Sequence, residues 1–303
     1  MMRDTIGIKS GKQELQEHIA RHVAILFRNI NSTQHTITIH TNSSNGDDYP
    51  RMIFVVYTLA RAYRCGFVTD SSGAIQEELV ELFWKLYDHS KRTLSLREFI
   101  YVQLYGIRFL TSFGHSVQRI IEDFMDTDHS SIYTHPISAY LYMSTYQESD
   151  ELRSMYHFSE DIFLLCKQVF DYMLFSNRKE ALLPFYFAEL SYQQERVENY
   201  MVEQAYVVVR HFFATGYPSE TASSSGVAKC MEDFARRGDE DLFQVCVSFL
   251  EQRQLSRFTE YIPSSQIDDS EYLYTEDAYS QHVCLDTNAH LVHAYLTLYE
   301  KIT

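Results

Sequence analysis

Residues 286–298 read Asp-Thr-Asn-Ala-His-Leu-Val-His-Ala-Tyr-Leu-Thr-Leu, a short polar start followed by small and apolar residues. Asp, Thr and Asn commonly cap helix N-termini, because their side-chain oxygens accept hydrogen bonds from the backbone N–H groups of the first turn. The apolar residues that follow recur at the three- and four-residue spacing of one helix face. This stretch therefore predicts a helix over 286–301 that begins with a cap at Asp286.

Three other segments of the chain begin in a similar way. Each puts a capping residue or a proline in the first turn, before small and apolar residues. The three are Asp47-Asp48-Tyr49-Pro50, Thr134-His135-Pro136 and Tyr217-Pro218-Ser219-Glu220-Thr221. The four starts lie about 70 to 85 residues apart, which is roughly two helical hairpins and favours a repeated array of such hairpins.

The rest of the chain also has a helical pattern. With 10 Gly and 5 Pro in 303 residues, a sheet-rich fold with many tight turns is disfavoured. About twelve helices are predicted, at 12–29, 50–65, 74–90, 95–112, 115–126, 136–147, 159–176, 179–194, 198–214, 219–236, 239–253 and 286–301. Short polar joints separate most of them, so that sequential helices should pack antiparallel. We predict an all-α fold of about six hairpins in a single domain over 1–303.

Two stretches depart from the helical pattern. Residues 35–40 read His-Thr-Ile-Thr-Ile-His, an alternation typical of a short strand, here a short β hairpin or an extended loop. Residues 254–284 form an acidic, Tyr-rich segment that is long for a loop inside a compact domain. This segment is interpreted as a solvated loop or as a lid over a binding site.

Composition excludes several classes of function. The formal net charge of -15 repels phosphate backbones and anionic membrane surfaces, so nucleic-acid binding is not expected. No apolar run approaches the length of a membrane span or of a signal-peptide core, and a cytoplasmic location is expected. The five cysteines form no C-x-x-C pair, and no metal or cofactor is predicted. The 23 Tyr and 20 Phe fill helix interfaces or line a deep pocket.

An array of about six hairpins with small residues on its inner helices resembles the α/α toroid. That fold is shared by six-hairpin glycosidases and epimerases, protein prenyltransferase β subunits and class II terpenoid cyclases. Residues 284–289, Cys-Leu-Asp-Thr-Asn-Ala, are similar to the D-x-D-D-T-A motif of class II terpenoid cyclases. Asp286 falls on the middle Asp, the general acid of that family, whereas Cys284 and Thr287 stand where the family has its first and third Asp. Residues 216–222 resemble, more weakly, the start of another helix in the same family.

The resemblance implies an enzyme that cyclises or rearranges a largely apolar, isoprenoid-like small molecule, with Asp286 as the acid. Such an acid must be protonated to act; burial raises the pKa of a carboxyl group, whereas a helix N-terminus lowers it. In a toroid the inner-helix starts meet at one opening, so polar residues at those starts become candidates for substrate binding. These candidates are Asp47, Asp48, His135, Glu220, His282, Asn288 and His290.

Two alternatives stay open at this point. Paired carboxylates across such an opening would suit a six-hairpin hydrolase or epimerase that acts on a carbohydrate. A helical-repeat array would equally suit a non-catalytic scaffold that binds a protein or peptide on its concave face. Asp286, His290 and His293 share a predicted helix face, but an H-x-x-H pair by itself is a weak metal signal. His18 and His22 also share a face, and they are interpreted as surface or packing residues.

Overall fold

The structure is a computed structural model, and it describes residues 11–30, 49–68, 74–126, 141, 145, 149–155, 199–219, 222–254, 272, 274–275 and 285–303. Within these residues every regular element is a helix, and β pairing is limited to an isolated bridge between Gln254 and Tyr274. The all-α prediction is therefore confirmed, whereas the toroid arrangement stays a prediction. None of the described helices is both long enough and apolar enough to cross a bilayer.

The described part of the chain contains ten helices. They are α1 (Lys12–Ile30), α2 (Tyr49–Arg64), α3 (Ala74–Thr93), α4 (Leu96–Ser112), α5 (Gln118–Met125), α6 (Asp150–Met155), α7 (Asn199–Ala214), α8 (Ser224–Arg237), α9 (Glu240–Glu251) and α10 (Leu285–Ile302).

Most predicted helices in the described ranges have a counterpart within a few residues. The helix predicted from 219 begins instead at Ser224, because Ser223 is its N-cap and accepts a 3.0 Å hydrogen bond from the backbone N–H of Gly226. Helix α6 was not predicted. The predicted helices over 159–176 and 179–194 and the predicted hairpin at 35–40 lie outside the described residues.

The helices group into two compact units. The first consists of Met1–Gly46, Ala62–Thr69 and Val208–Thr303, and its described part holds α1, the end of α2 and of α7, and α8 to α10. The second consists of Asp47–Arg61 and Asp70–Val207, and holds most of α2, α3 to α6 and the start of α7. The single domain over 1–303 stays a prediction.

In the first unit, α8 and α10 run parallel to each other. The Thr297 hydroxyl donates to Glu232 Oε1 at 3.3 Å, and one turn further along both helices Lys301 Nζ donates to the Arg236 carbonyl at 2.9 Å. Both pairs are separated by 65 residues in sequence, and a constant separation means that the helices advance in the same direction. Helix α9 provides the return between them: α8 ends at Gly238, whose φ of 76° suits glycine, and Asp239 caps α9.

Helix α1 packs antiparallel against the other side of α10. Gln16 near the start of α1 donates to the Tyr299 hydroxyl at 2.9 Å near the end of α10, whereas the ring of His18, further along α1, contacts Tyr295, further back along α10. Helix α10 therefore has α8 on one side and α1 on the other. Its residues from Leu285 to Leu298 are buried, with the exception of Asp286.

The second unit is built on the α3–α4 hairpin, with α5 packed across it. Ser95 and Glu98 form a capping box that starts α4 directly after α3. On α4, Gly106 allows a close approach, because a Cβ at this position would lie 2.7 Å from Phe83 Cζ. Helix α5 is tied to α3 through Asp123, which accepts from the Tyr87 hydroxyl at 2.9 Å and pairs with Lys91 at 2.7 Å.

Candidate functional site

The parallel packing of α8 and α10 brings their N-termini to the same end of the first unit. Ser224 at the start of α8 and Asn288 in the first turn of α10 hydrogen-bond to the backbone of Thr275 and Tyr274, respectively. The predicted meeting of the inner-helix starts at the opening of a toroid stays a prediction. Helix N-termini carry partial positive charge and unpaired N–H groups, so two of them side by side attract acidic or polar groups. This shared end of α8 and α10 is therefore the candidate functional site.

Tyr274 and Thr275, from the long predicted loop, lie over this end. The Ser224 hydroxyl donates to the Thr275 carbonyl at 2.6 Å, and the backbone N–H of Thr275 donates to the Arg253 carbonyl at 2.9 Å. Asn288 Oδ1 accepts from the backbone N–H of Tyr274 at 3.2 Å, and its Nδ2 donates back to the Tyr274 carbonyl at 3.5 Å. Asn288, predicted to bind substrate, thus holds the covering segment, and its role toward a substrate stays a prediction.

Asp286 lies in the first turn of α10, at the same end. It is half-buried, whereas every other residue from Leu285 to Leu298 is buried. His290, one turn further along, is only 8% exposed. Asp286 is therefore the side chain in this part of α10 that a small molecule can most readily reach.

A network of buried charges lies further along the α8–α10 interface. Asp233 is fully buried and contacts Arg236 at 3.3 Å and Arg237 at 3.1 Å. Glu232 contacts Arg236 at 3.2 Å, and its Oε1 lies 3.9 Å from His293 Nδ1. The sequence analysis placed His293 on the face of Asp286 but did not find its carboxylate neighbour, because that neighbour lies on a different helix.

A histidine–tyrosine cluster lies between α1 and α10, formed by His18, His22, Tyr272, Tyr274 and Tyr295. The two histidine rings are hydrogen-bonded through their Nε2 atoms at 3.0 Å. The His22 ring stacks on Tyr274 and on Tyr295, with ring centroids 5.8 and 6.0 Å apart. His22 is 2% exposed, which agrees with the packing role predicted for it, and His18 is half-buried.

Both histidines of this cluster are held neutral. Burial, together with the positive charge of Arg21, lowers the pKa of His18 from 6.5 to about 4. Burial and the neighbouring His18 ring lower the pKa of His22 well below its usual value, although a hydrogen bond with the backbone of Tyr272 acts in the opposite direction. Burial likewise raises the pKa of Tyr274 to about 12, so its hydroxyl stays protonated. The H-x-x-x-H spacing in the sequence could have drawn attention to this pair, but not to its tyrosine partners.

The other residues predicted to bind substrate lie outside the described residues. They are Asp47, Asp48, His135, Glu220 and His282. Among the residues that are described, no group of three or more His, Cys, Asp or Glu side chains is arranged to hold a metal ion.

Comparisons with known proteins add no relative. No protein-family model matches the sequence, and neither a curated protein nor a solved structure matches it.

Proposed function

We propose that this chain is an α/α-toroid enzyme that acts on a largely apolar, isoprenoid-like small molecule, with Asp286 as the acid that starts a cyclisation or rearrangement. One observation carries the proposal. Asp286 is the half-buried exception on an otherwise buried stretch of α10, at the end where α8 and α10 begin. This is where the resemblance to class II terpenoid cyclases puts the general acid.

The proposed reaction adds one proton to the substrate in its first step and removes one proton in its last step. Asp286 in its carboxylic acid form donates its proton to an alkene carbon of the substrate, and the π electrons form the new C–H bond and leave a carbocation. Ring closure or migration follows, and a neighbouring carbon then loses a proton to a base. A helix N-terminus stabilises the carboxylate, so the acid form depends on excluding water when substrate binds. Tyr274 and Thr275, which hydrogen-bond to Asn288 and Ser224 over the helix starts, would contribute to that exclusion.

The test replaces Asp286 with Asn and follows product formation. Purified protein is incubated with squalene or with geranylgeranyl diphosphate, and products are identified by gas chromatography and mass spectrometry. Asp286→Asn should abolish turnover, while unfolding in urea should show a loss of about 1 kcal/mol or less, the usual scale of a first-turn cap or charge. Asp241→Asn is the matched control, because Asp241 is an exposed first-turn Asp of α9, and this variant should keep full turnover.

If Asp286→Asn melts earlier but keeps the activity of the wild type, Asp286 is a helix cap and the proposal is wrong. If neither polyprenyl substrate is converted by the wild-type protein, the isoprenoid class is wrong.

A second candidate, a carbohydrate epimerase or hydrolase, is favoured by the buried Glu232–Asp233 pair beside His293. Carboxylates and an imidazole on facing helices are groups that transfer protons in sugar chemistry. This candidate predicts that hexoses incubated with the protein in deuterated water exchange a carbon-bound hydrogen or are hydrolysed, as followed by NMR. Glu232→Gln should then abolish the reaction. A protein that converts neither class of substrate is best explained as a binding scaffold.

A further inference from the structure

The histidine pair of α1 has the geometry of a chelating site. His18 and His22 are one turn apart, and their Nε2 atoms lie 3.0 Å from each other. Imidazole nitrogens bind first-row divalent metals at about 2.0–2.1 Å, so an ion equidistant from both nitrogens would have an N–metal–N angle of about 94°. That angle is close to the right angle between neighbouring ligands in the tetragonal sites of Cu²⁺ and Ni²⁺. We propose that His18 and His22 together bind one divalent transition-metal ion of the Cu²⁺ or Ni²⁺ type.

The hydrogen bonds around the pair prepare it for this role. One ring nitrogen of His22 is hydrogen-bonded to the backbone of Tyr272, and its Nε2 is the atom that faces His18. Donation from Nδ1 of His22 to the backbone at Tyr272 would leave a lone pair on Nε2 for a metal. A second partner of this kind fixes the tautomer and the ring orientation of metal-binding histidines.

The surroundings of the pair determine how the ion is reached. His22 is only 2% exposed, whereas His18 is half-buried, so the remaining coordination positions open on the side of His18 and are filled by water. Tyr272 and Tyr295 form aromatic walls, with ring centroids 6.0 and 4.7 Å from that of His18. A neighbouring cation, Arg21, contacts the Tyr272 hydroxyl and lies over its ring at 5.6 Å. This positive charge weakens the attraction for a second cation.

The proposal is tested by titrating the full-length, tag-free protein with NiCl₂ in a calorimeter at pH 7. We expect one ion per chain. His18→Gln removes a metal ligand and should weaken Ni²⁺ binding by roughly tenfold or more. Loss of a residue that only hydrogen-bonds to a ligand already weakens metal binding by about tenfold. His211→Gln, which changes an exposed histidine on α7, should leave the isotherm unchanged. Arg21→Gln should tighten binding severalfold, because it removes the neighbouring positive charge.

A further measurement separates this site from other histidines. With CuCl₂, electron paramagnetic resonance should show hyperfine splitting from two equatorial nitrogens in the wild type and from fewer in His18→Gln. Identical isotherms and spectra for wild type and His18→Gln would overturn the proposal and leave the pair as a hydrogen-bonded packing contact. Asp286→Asn should bind Ni²⁺ as the wild type does, since this site does not depend on the proposed activity.

Discussion

Loss of the negative charge of Asp233 should destabilise this protein strongly. Its carboxylate is fully buried and contacts Arg236 at 3.3 Å and Arg237 at 3.1 Å. Asp233→Asn keeps the shape of the side chain but removes the negative charge that contacts the Arg237 guanidinium, whose side chain is 12% exposed. Breaking one side of a buried pair costs about 3–5 kcal/mol. Arg236 still contacts Glu232 at 3.2 Å, and its side chain is 28% exposed. We therefore expect a loss of stability at the lower end of this range, about 3 kcal/mol.

The assay is equilibrium unfolding in urea, followed by circular dichroism. With a slope of about 2–3 kcal/mol per M for a protein of this size, the midpoint should fall by about 1 M or more. The matched control is Glu81→Gln, which breaks an i,i+4 pair with Lys85 whose side chains are 69% and 57% exposed. That variant should lose about 0.5 kcal/mol or less, because exposed helix pairs are weak.

A double variant isolates the cause. Asp233→Leu combined with Arg237→Met removes both charges, and it should recover more than half of the loss seen with Asp233→Asn, because no charge is then left buried without a partner. If Asp233→Asn costs less than about 1 kcal/mol with an unchanged slope, the reasoning from burial is refuted. If it costs as little as Glu81→Gln, the buried network does not contribute to stability.

Three further outcomes follow from the structure. Ser95→Ala removes the cap that accepts from the Glu98 N–H and should cost about 1 kcal/mol in urea unfolding. Gly106→Ala puts a Cβ 2.7 Å from Phe83 Cζ; overpacking of about 1–3 kcal/mol should outweigh a helix-propensity gain of about 1 kcal/mol, and a second change, Phe83→Leu, should restore stability. Because the pKa of His18 falls from 6.5 to about 4 on folding, the unfolded chain binds more protons between these values. Metal-free protein should therefore lose about 1–3 kcal/mol as pH falls from about 6.5 to about 4, and His18→Gln should flatten that dependence.

Much of the local structure could be predicted from the sequence because it depends on neighbours along the chain. The helix over 286–301 was predicted from its capping residues and apolar spacing, and α10 runs over Leu285–Ile302. The first residue of a helix was harder to predict where two possible capping residues lie close together in the sequence. At 219 the motif with Pro218 and Ser219 looked like a helix start, but Ser223 caps α8, which begins at Ser224.

The sites were harder to predict, because their parts come from distant segments. Asp286 could be placed at a helix start from the sequence, and in the structure it lies at the same end of the unit as the start of α8. His18 and His22 were interpreted as surface or packing residues, because nothing in α1 indicates that Tyr272, far away in sequence, contacts both of them. The carboxylate of Glu232 near His293 was missed for the same reason.

By itself, the sequence determined that the described part of the chain is helical and where most of the described helices begin and end. These properties depend on hydrogen bonds and apolar spacing over a few residues. Tertiary structure alone decided that α8 and α10 lie parallel, that Asn288 holds the backbone at Tyr274, and that His22 is buried against α10. Contacts such as Gln16 with Tyr299, 283 residues apart, depend on how whole helices pack to bury their apolar faces, and no local pattern records that choice.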